Sequence, residues 1–125
     1  MHPKQAQAPE VAVAYHSAWT RGQMDSAASY LAPDVVCHAP AGTLNGREAV
    51  RALMEPFAAM LTASELLAVY GDDHRALLMY LTASCTVPNA PGAELYRIED
   101  QHIVEIRIIF DRLSFALARG DVVGV

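Results

Sequence analysis

The stretch YHSAWTRGQMDSAASYLAPDVVCHAPAGTLNGREAVRALM, residues 15–54, sets the order of elements on which the fold turns. Tyr15, Ala18 and Trp19 continue an apolar stripe begun by Val11 and Ala14 at helical spacing, and Gly22 ends that helix. Asp25 is placed to cap a short second helix that carries Ala28 and Leu31 and is closed by Pro33. Residues 34–39, Asp-Val-Val-Cys-His-Ala, read as a strand, and Pro40, Gly42 and Gly46 mark a loop. Asn45 with Glu48 three residues later has the pattern of a capping box for a third helix. The face of that helix is Val50, Leu53, Met54, Phe57 and Met60 or Leu61, and Pro56 inside it predicts a kink or break.

Upstream, residues 1–8 read as a flexible Ala/Gln-rich tail, and residues 9–125 as one domain. Pro9 and Glu10 open the first helix, where proline is tolerated and an acid complements the dipole. Beyond about residue 63 the period becomes that of strands. A strand over 64–71 ends at Gly71-Asp72-Asp73, a hairpin signal. A long strand over 75–87 alternates Leu77, Met79, Leu81, Ala83, Cys85 and Val87 against Ala76, Leu78, Tyr80, Thr82, Ser84 and Thr86. Residues 88–92 form a turn, 93–99 a strand, Asp100-Gln101 a tight turn. Residues 102–110 form the last strand, with Val104, Ile106, Ile108 and Phe110 on one face and Glu105, Arg107 and Ile109 on the other. Asp111 is placed to cap a final short helix to about Arg119.

Helices followed by antiparallel strands make an α+β pattern, in which the N-terminal helices must cover the apolar face of the sheet. A strongly curved sheet leaves a space that the helices do not fill. The composition agrees: 53% of the 125 residues are hydrophobic and 18% charged, rich for so small a domain. The formal net charge of −5 and the single lysine, Lys4, speak against a nucleic-acid partner. No polybasic stretch or long apolar run speaks for a membrane. Met1-His2-Pro3-Lys4-Gln5 lacks the apolar core of a secretion signal, so a cytoplasmic location is expected. Cys37 and Cys85 have no metal-ligand spacing and read as two buried thiols.

The quoted stretch, with YRIEDQHIVEIRIIFDRLSF at residues 96–115, resembles the nuclear-transport-factor-2-like superfamily, and best its SnoaL-like polyketide-cyclase branch. Ketosteroid isomerase and limonene epoxide hydrolase are relatives. The resemblance implies a cone-shaped domain, with helices packed on a strongly curved, mostly antiparallel sheet enclosing a pocket. It is poorly specific for function, because the fold hosts isomerases, dehydratases, cyclases, hydrolases and non-catalytic binders.

Carried over residue by residue, the resemblance places Tyr15 where ketosteroid isomerases have the tyrosine that donates to the oxyanion. It places Ala39 where their general base should stand, and Ala93 near the second acid, so a steroid-isomerase assignment is disfavoured. Of the Asp–Arg–Asp set of the epoxide hydrolases, Ile108 takes an acid's place and Arg107 adjoins it. SnoaL-like cyclases imply an acid/base role near Asp111. His38 has a side chain that titrates near neutrality, but strand alternation turns it outward if Cys37 and Ala39 face in.

The candidate catalytic residues are therefore Tyr15, His38 and Asp111. The expected pocket lining is Trp19, Cys37, Ala39, Met54, Phe57, Met79, Ile106, Ile108 and Phe110. No metal site and no nucleotide or other cofactor motif is read. Two functions stand. One is cofactor-independent acid/base chemistry (cyclase, isomerase, dehydratase or hydrolase) on a small apolar carbonyl- or epoxide-bearing molecule. The other is a non-catalytic ligand-binding or dimeric interaction domain. Leu78, Tyr80, Val36 and Ile109 are expected on an apolar outer sheet face through which a homodimer forms.

Overall fold

Alternation of burial along the strands shows which side of the sheet the helices cover. The computed structural model describes residues 7–111 and residue 117. Helix α1 spans Gln7–Thr20 and α2 Met24–Ser29; strand β1 spans Leu31–Ala39 and β2 Gly42–Asn45. Helix α3 spans Arg47–Met60 and leads directly into β3 at Leu61–Gly71, followed by β4 at Arg75–Ser84, β5 at Ala90–Glu99 and β6 at His102–Phe110. The six strands form one curved sheet in the order β2-β1-β6-β5-β4-β3. All neighbours are antiparallel except β1 and β6. This is the α+β architecture expected, with helices packed on one face.

The inner face holds Ala76, Leu78, Tyr80 and Thr82 of β4, Glu94, Tyr96 and Ile98 of β5, and Ile103, Ile106 and Ile108 of β6. Helix α1 lays Ala8, Ala12, Tyr15, His16, Ala18 and Trp19 against it. The largest fully buried side chains are Trp19, Tyr15 and Tyr96, so the aromatic load sits at the centre of the α1–sheet layer.

This reverses the assignment of faces on β4. Leu78 and Tyr80, expected outside, point inward; Met79, expected in the pocket, is about half exposed on the outer face with Leu77. Both faces of β4 are apolar, so alternation by itself left the choice open. Register makes it: Ala76 stands opposite Tyr96 and Leu78 opposite Glu94, and cross-strand partners share a face. A second correction lies on β6. Arg97 pairs with Glu105 but Ile98 with Ile103, so β6 carries an extra residue at Val104. The bulge makes Ile103 and Ile106 both inward and takes Val104 off the core face.

Element ends also differ from the sequence reading. Leu31 begins β1 rather than riding on α2, and Pro33 lies within the strand where the pairing with β6 is irregular, a place that asks for no proline N–H. Helix α2 starts after Gln23 without a side-chain cap, so Asp25 sits in its first turn. The expected loop at 40–46 contains β2, and Asn45 pairs with Val36 instead of capping α3. Gly46 takes the N-cap place with φ +94°, a conformation costly for a residue with a Cβ, and no side chain caps the helix. Helix α3 continues through Pro56, although the missing N–H deprives the Ala52 carbonyl of its partner.

Strands β3 and β5 begin earlier than expected, and β4 ends at Ser84, short of Cys85. Cys85 is exposed, so only Cys37 is the buried thiol that was expected. The two hairpin turns fall where the sequence puts them. Asp72 Oδ1 accepts from the N–H groups of His74 and Arg75, both at 2.8 Å. Asp100 and Gln101 both have positive φ, the primed geometry that matches strand twist. Helix α1 already includes Gln7 and buries Ala8. The rest of the expected tail, residues 1–6, and the expected final helix after Asp111, apart from Leu117, lie outside the described residues. No helix among the described residues is long and apolar enough to cross a membrane.

Candidate functional site

Strand β5 reads Ala90-Pro91-Gly92-Ala93-Glu94-Leu95-Tyr96, and every second residue from Ala90 faces the helices. That parity carries a carboxyl group, Glu94, into the core with none of its surface exposed. Its two oxygens are both occupied. The Tyr80 hydroxyl donates to Oε2 at 2.5 Å, and the Tyr96 hydroxyl donates to Oε1 at 2.9 Å. Among the described residues no Lys, Arg or His forms an ion pair with it. A buried carboxylate without a counter-charge is expensive, and the acid responds by holding its proton. Burial accordingly pushes the Glu94 carboxyl above its usual range, against the opposite pull of the two tyrosine hydrogen bonds.

The surrounding groups share this dry setting. Tyr15 meets Tyr96 edge-on, with ring centroids 5.8 Å apart. Burial first, and then the charge of Glu94, raise the hydroxyls of Tyr15, Tyr80 and Tyr96 far above the ordinary phenol value. The Cys37 thiol is pushed up to about 12 by burial and then by Glu94, which makes it inert. His16 packs against Tyr80 at 4.7 Å and Trp19 at 5.2 Å, and burial lowers it to about 4, so it is neutral at pH 7. His16 Nδ1 and Trp19 Nε1 are buried with no hydrogen-bond partner among the described residues. Such groups cost about 1–3 kcal/mol each when left unpaired.

Beside this cluster lies a cavity of about 80 Å³ between α3 and the sheet. Its apolar wall is built from Leu53, Met54 and Phe57 of α3 with Ile108 and Phe110 of β6. Its polar groups are the side chains of Tyr80 and Thr82 on β4. Tyr80 thus touches the cavity on one side and Glu94 on the other. Gly92, on the wall beside it, is required: a Cβ there would lie 2.8 Å from Tyr80 Cζ.

Of the expected lining, Met54, Phe57, Ile108 and Phe110 border this cavity. Trp19 and Ile106 are buried in the core without lining it, and Cys37 is likewise enclosed. Ala39 is half-buried at the end of β1, and Met79 is outside. Among the described residues, none of the three expected catalytic groups lines this cavity. Tyr15 is enclosed by the core, with its ring edge-on to Tyr96. His38 is on the outer face of β1, where its Nε2 is 3.6 Å from Glu105 Oε2 and its Nδ1 is 3.5 Å from Thr43 Oγ1. Asp111 is half-buried just past Phe110, at the end of β6.

Sequence reasoning missed Glu94, Tyr80 and His16. Counting by resemblance stopped at Ala93, one residue from the inward acid. The signal was present: Glu94 shares strand parity with Tyr96 and Ile98, a lone acid on a face otherwise apolar. Among the described residues no group of three or more His, Cys, Asp or Glu is placed to hold a metal ion.

The model of the SnoaL-like domain family matches residues 12–106 of the chain. The chain is similar to a protein of solved structure from Kribbella flavida DSM 17836, at 46% identity over 94% of this chain and 97% of that one, with a TM-score of 0.91. It is also similar to a steroid delta-isomerase from Pseudomonas aeruginosa, at 17% identity over 97% of this chain and 91% of that one, with a TM-score of 0.75. A third likeness is to a protein of ketosteroid isomerase-like fold from Catenulispora acidiphila DSM 44928, solved with trimethylamine. That pair is 19% identical over 94% of this chain and 99% of the other, with a TM-score of 0.75. The last two likenesses are of fold alone. No curated protein matches this sequence.

Proposed function

The chain belongs to the SnoaL-like domain family of the nuclear-transport-factor-2-like superfamily, and from that premise we propose that it holds a compact, mostly apolar organic molecule in the cavity beneath α3. The observation that carries this reading is the position of Tyr80. It puts one hydroxyl on the wall of an otherwise largely apolar cavity and ties that hydroxyl to a buried acid. On ligand binding the direction of this hydrogen bond reverses: protonated Glu94 donates to the Tyr80 oxygen instead of accepting from it, and Tyr80 turns its own hydrogen toward an acceptor oxygen of the ligand. A carbonyl or epoxide oxygen fits that role.

The same pair supports cofactor-independent acid/base chemistry of the cyclase, isomerase, dehydratase or hydrolase kind. As charge develops on the ligand oxygen, Tyr80 passes it a proton and regains one from Glu94, so the relay ends with Glu94 ionised and Tyr80 neutral. The wall itself favours the non-catalytic binder, since Tyr80 is the only titratable group among the described residues that line it. A screen of small ketones, lactones and epoxides against the native protein, Tyr80→Phe and Glu94→Gln separates the two. Turnover that falls at least about tenfold in both variants supports catalysis, the loss expected for one hydrogen bond realised in the transition state. Binding without turnover supports the binder, and no binding by the native protein removes the pocket reading.

We further propose a homodimer through the outer sheet face, on corrected residues. Register lines up Tyr70, Leu77 and Leu95 in one row and Met79, Ala93 and Ile109 in the next. All but Ala93 are exposed large hydrophobics, a contiguous patch that a partner surface would cover.

A further inference from the structure

The cavity is too small for the molecules its wall suits. A benzene ring occupies a cavity on the order of 150 Å³, while this one holds about 80 Å³. A ring enters only if a wall side chain moves. Phe57 is the side chain placed to do so. It is half-buried on α3 and follows Pro56, where the helix has lost one backbone hydrogen bond.

Behind Phe57 stands Trp19, with ring centroids 5.8 Å apart. Trp19 also meets Tyr80 at 6.0 Å and His16 at 5.2 Å. Two of these rings carry the unpartnered buried atoms, Trp19 Nε1 and His16 Nδ1. Proteins rarely leave two such atoms on neighbouring rings, and each marks a place where an additional partner gains a hydrogen bond. The indole N–H is a donor only. The imidazole nitrogen accepts when the ring proton is on Nε2. One hydroxyl group satisfies both, accepting from the indole and donating to the imidazole.

We propose that Trp19 and His16 are specificity residues of the cavity: a neutral hydroxyl-bearing ring displaces the Phe57 side chain and places its oxygen between Trp19 Nε1 and His16 Nδ1. This rests on the reading that the cavity binds a small molecule, and it adds where the ligand's oxygen goes. The ligand class is a phenol or cyclic alcohol. An anion is disfavoured, because among the described residues no cation is paired with this buried cluster to offset the cost of enclosing a charge.

Phenol and toluene test this, being of equal size and differing in one hydroxyl. In a purely apolar cavity the hydroxyl is desolvated without return, and toluene binds better. Trp19 is the single tryptophan, so one indole N–H cross-peak in a ¹⁵N-labelled sample reports on it without any substitution. The expected result is that phenol binds at least as tightly as toluene and moves the indole proton downfield, while toluene does not. Trp19→Phe then weakens phenol by about tenfold and leaves toluene unchanged, the ratio of one net hydrogen bond.

Binding of both probes with toluene preferred, or with no separate indole response to phenol, overturns this inference and leaves the cavity reading intact. So does loss of the phenol preference in Tyr80→Phe with its retention in Trp19→Phe, which puts the oxygen at Tyr80. Binding of neither probe at millimolar concentration overturns the cavity reading and this inference with it.

Discussion

The ring of Tyr80 lies against the backbone of Gly92 so closely that a Cβ on Gly92 would stand 2.8 Å from Cζ and 3.0 Å from the hydroxyl oxygen. These two residues are paired neighbours on β4 and β5, and the contact fixes where the hydroxyl points. It brings Oη to 2.5 Å from Glu94 Oε2 while leaving Tyr80 on the cavity wall.

Gly92→Ala forces the Tyr80 ring aside and breaks that hydrogen bond. The expected destabilisation is about 1–3 kcal/mol, the usual cost of overpacking a filled site. Chemical denaturation with an unchanged m value checks it. A variant as stable as the native protein shows that the ring has room to yield.

Glu94 gives stability a pH dependence of definite sign. Its folded pKa lies above the ordinary 4.5, so the folded protein binds its proton more tightly than the unfolded chain does. The contribution is complete below pH 4.5 and is lost as pH rises through the folded value. Denaturation of Glu94→Gln and native protein over this range should show the native curve falling relative to the variant with rising pH. Parallel curves mean the carboxyl is not held protonated.

His16 acts in the opposite direction. Burial lowers its pKa from 6.5 to about 4, so its contribution is complete above pH 6.5 and drains away as pH falls toward 4. A difference of that size between the folded and unfolded imidazole is worth about 3 kcal/mol of stability. In His16→Phe this acid slope should vanish. Its persistence in the variant would assign it elsewhere.

The two thiols should react at very different rates. Cys85 is exposed and Cys37 is buried with its pKa pushed up to about 12. A thiol reagent at about pH 8, near the ordinary thiol pKa, should modify one cysteine quickly in the native protein and the second only on unfolding. Cys85→Ser should remove the fast phase. Two equal fast phases would contradict the enclosed position of Cys37.

The outer face predicts assembly. Ile109 is 67% exposed and ends the second apolar row on β6, so Ile109→Glu should convert a dimer to a monomer in sedimentation at micromolar concentration without loss of fold. A native protein that sediments as a monomer refutes the interface outright.

The architecture was legible in the sequence because periodicity is a local property. Val11, Tyr15 and Trp19 repeat at helical spacing, Asp72 and Asp100-Gln101 mark turns, and the change of period near residue 63 separates helices from hairpins. The polarity of β4 was not legible, since both its faces are apolar and only the register that sets Ala76, Leu78 and Tyr80 opposite Tyr96, Glu94 and Gly92 turns Tyr80 inward. The bulge at Val104 is likewise a matter of register between two strands.

Sequence by itself determined the α+β class, the element order and the apolar character of the interior, since each follows from the spacing of side chains along one segment. The site was decided only in three dimensions. Tyr80, Glu94, Tyr96, His16 and Trp19 come from three elements, α1, β4 and β5, and no local pattern says that they meet. Their chemistry arises from mutual burial, which withdraws water and sets which of them hold a proton.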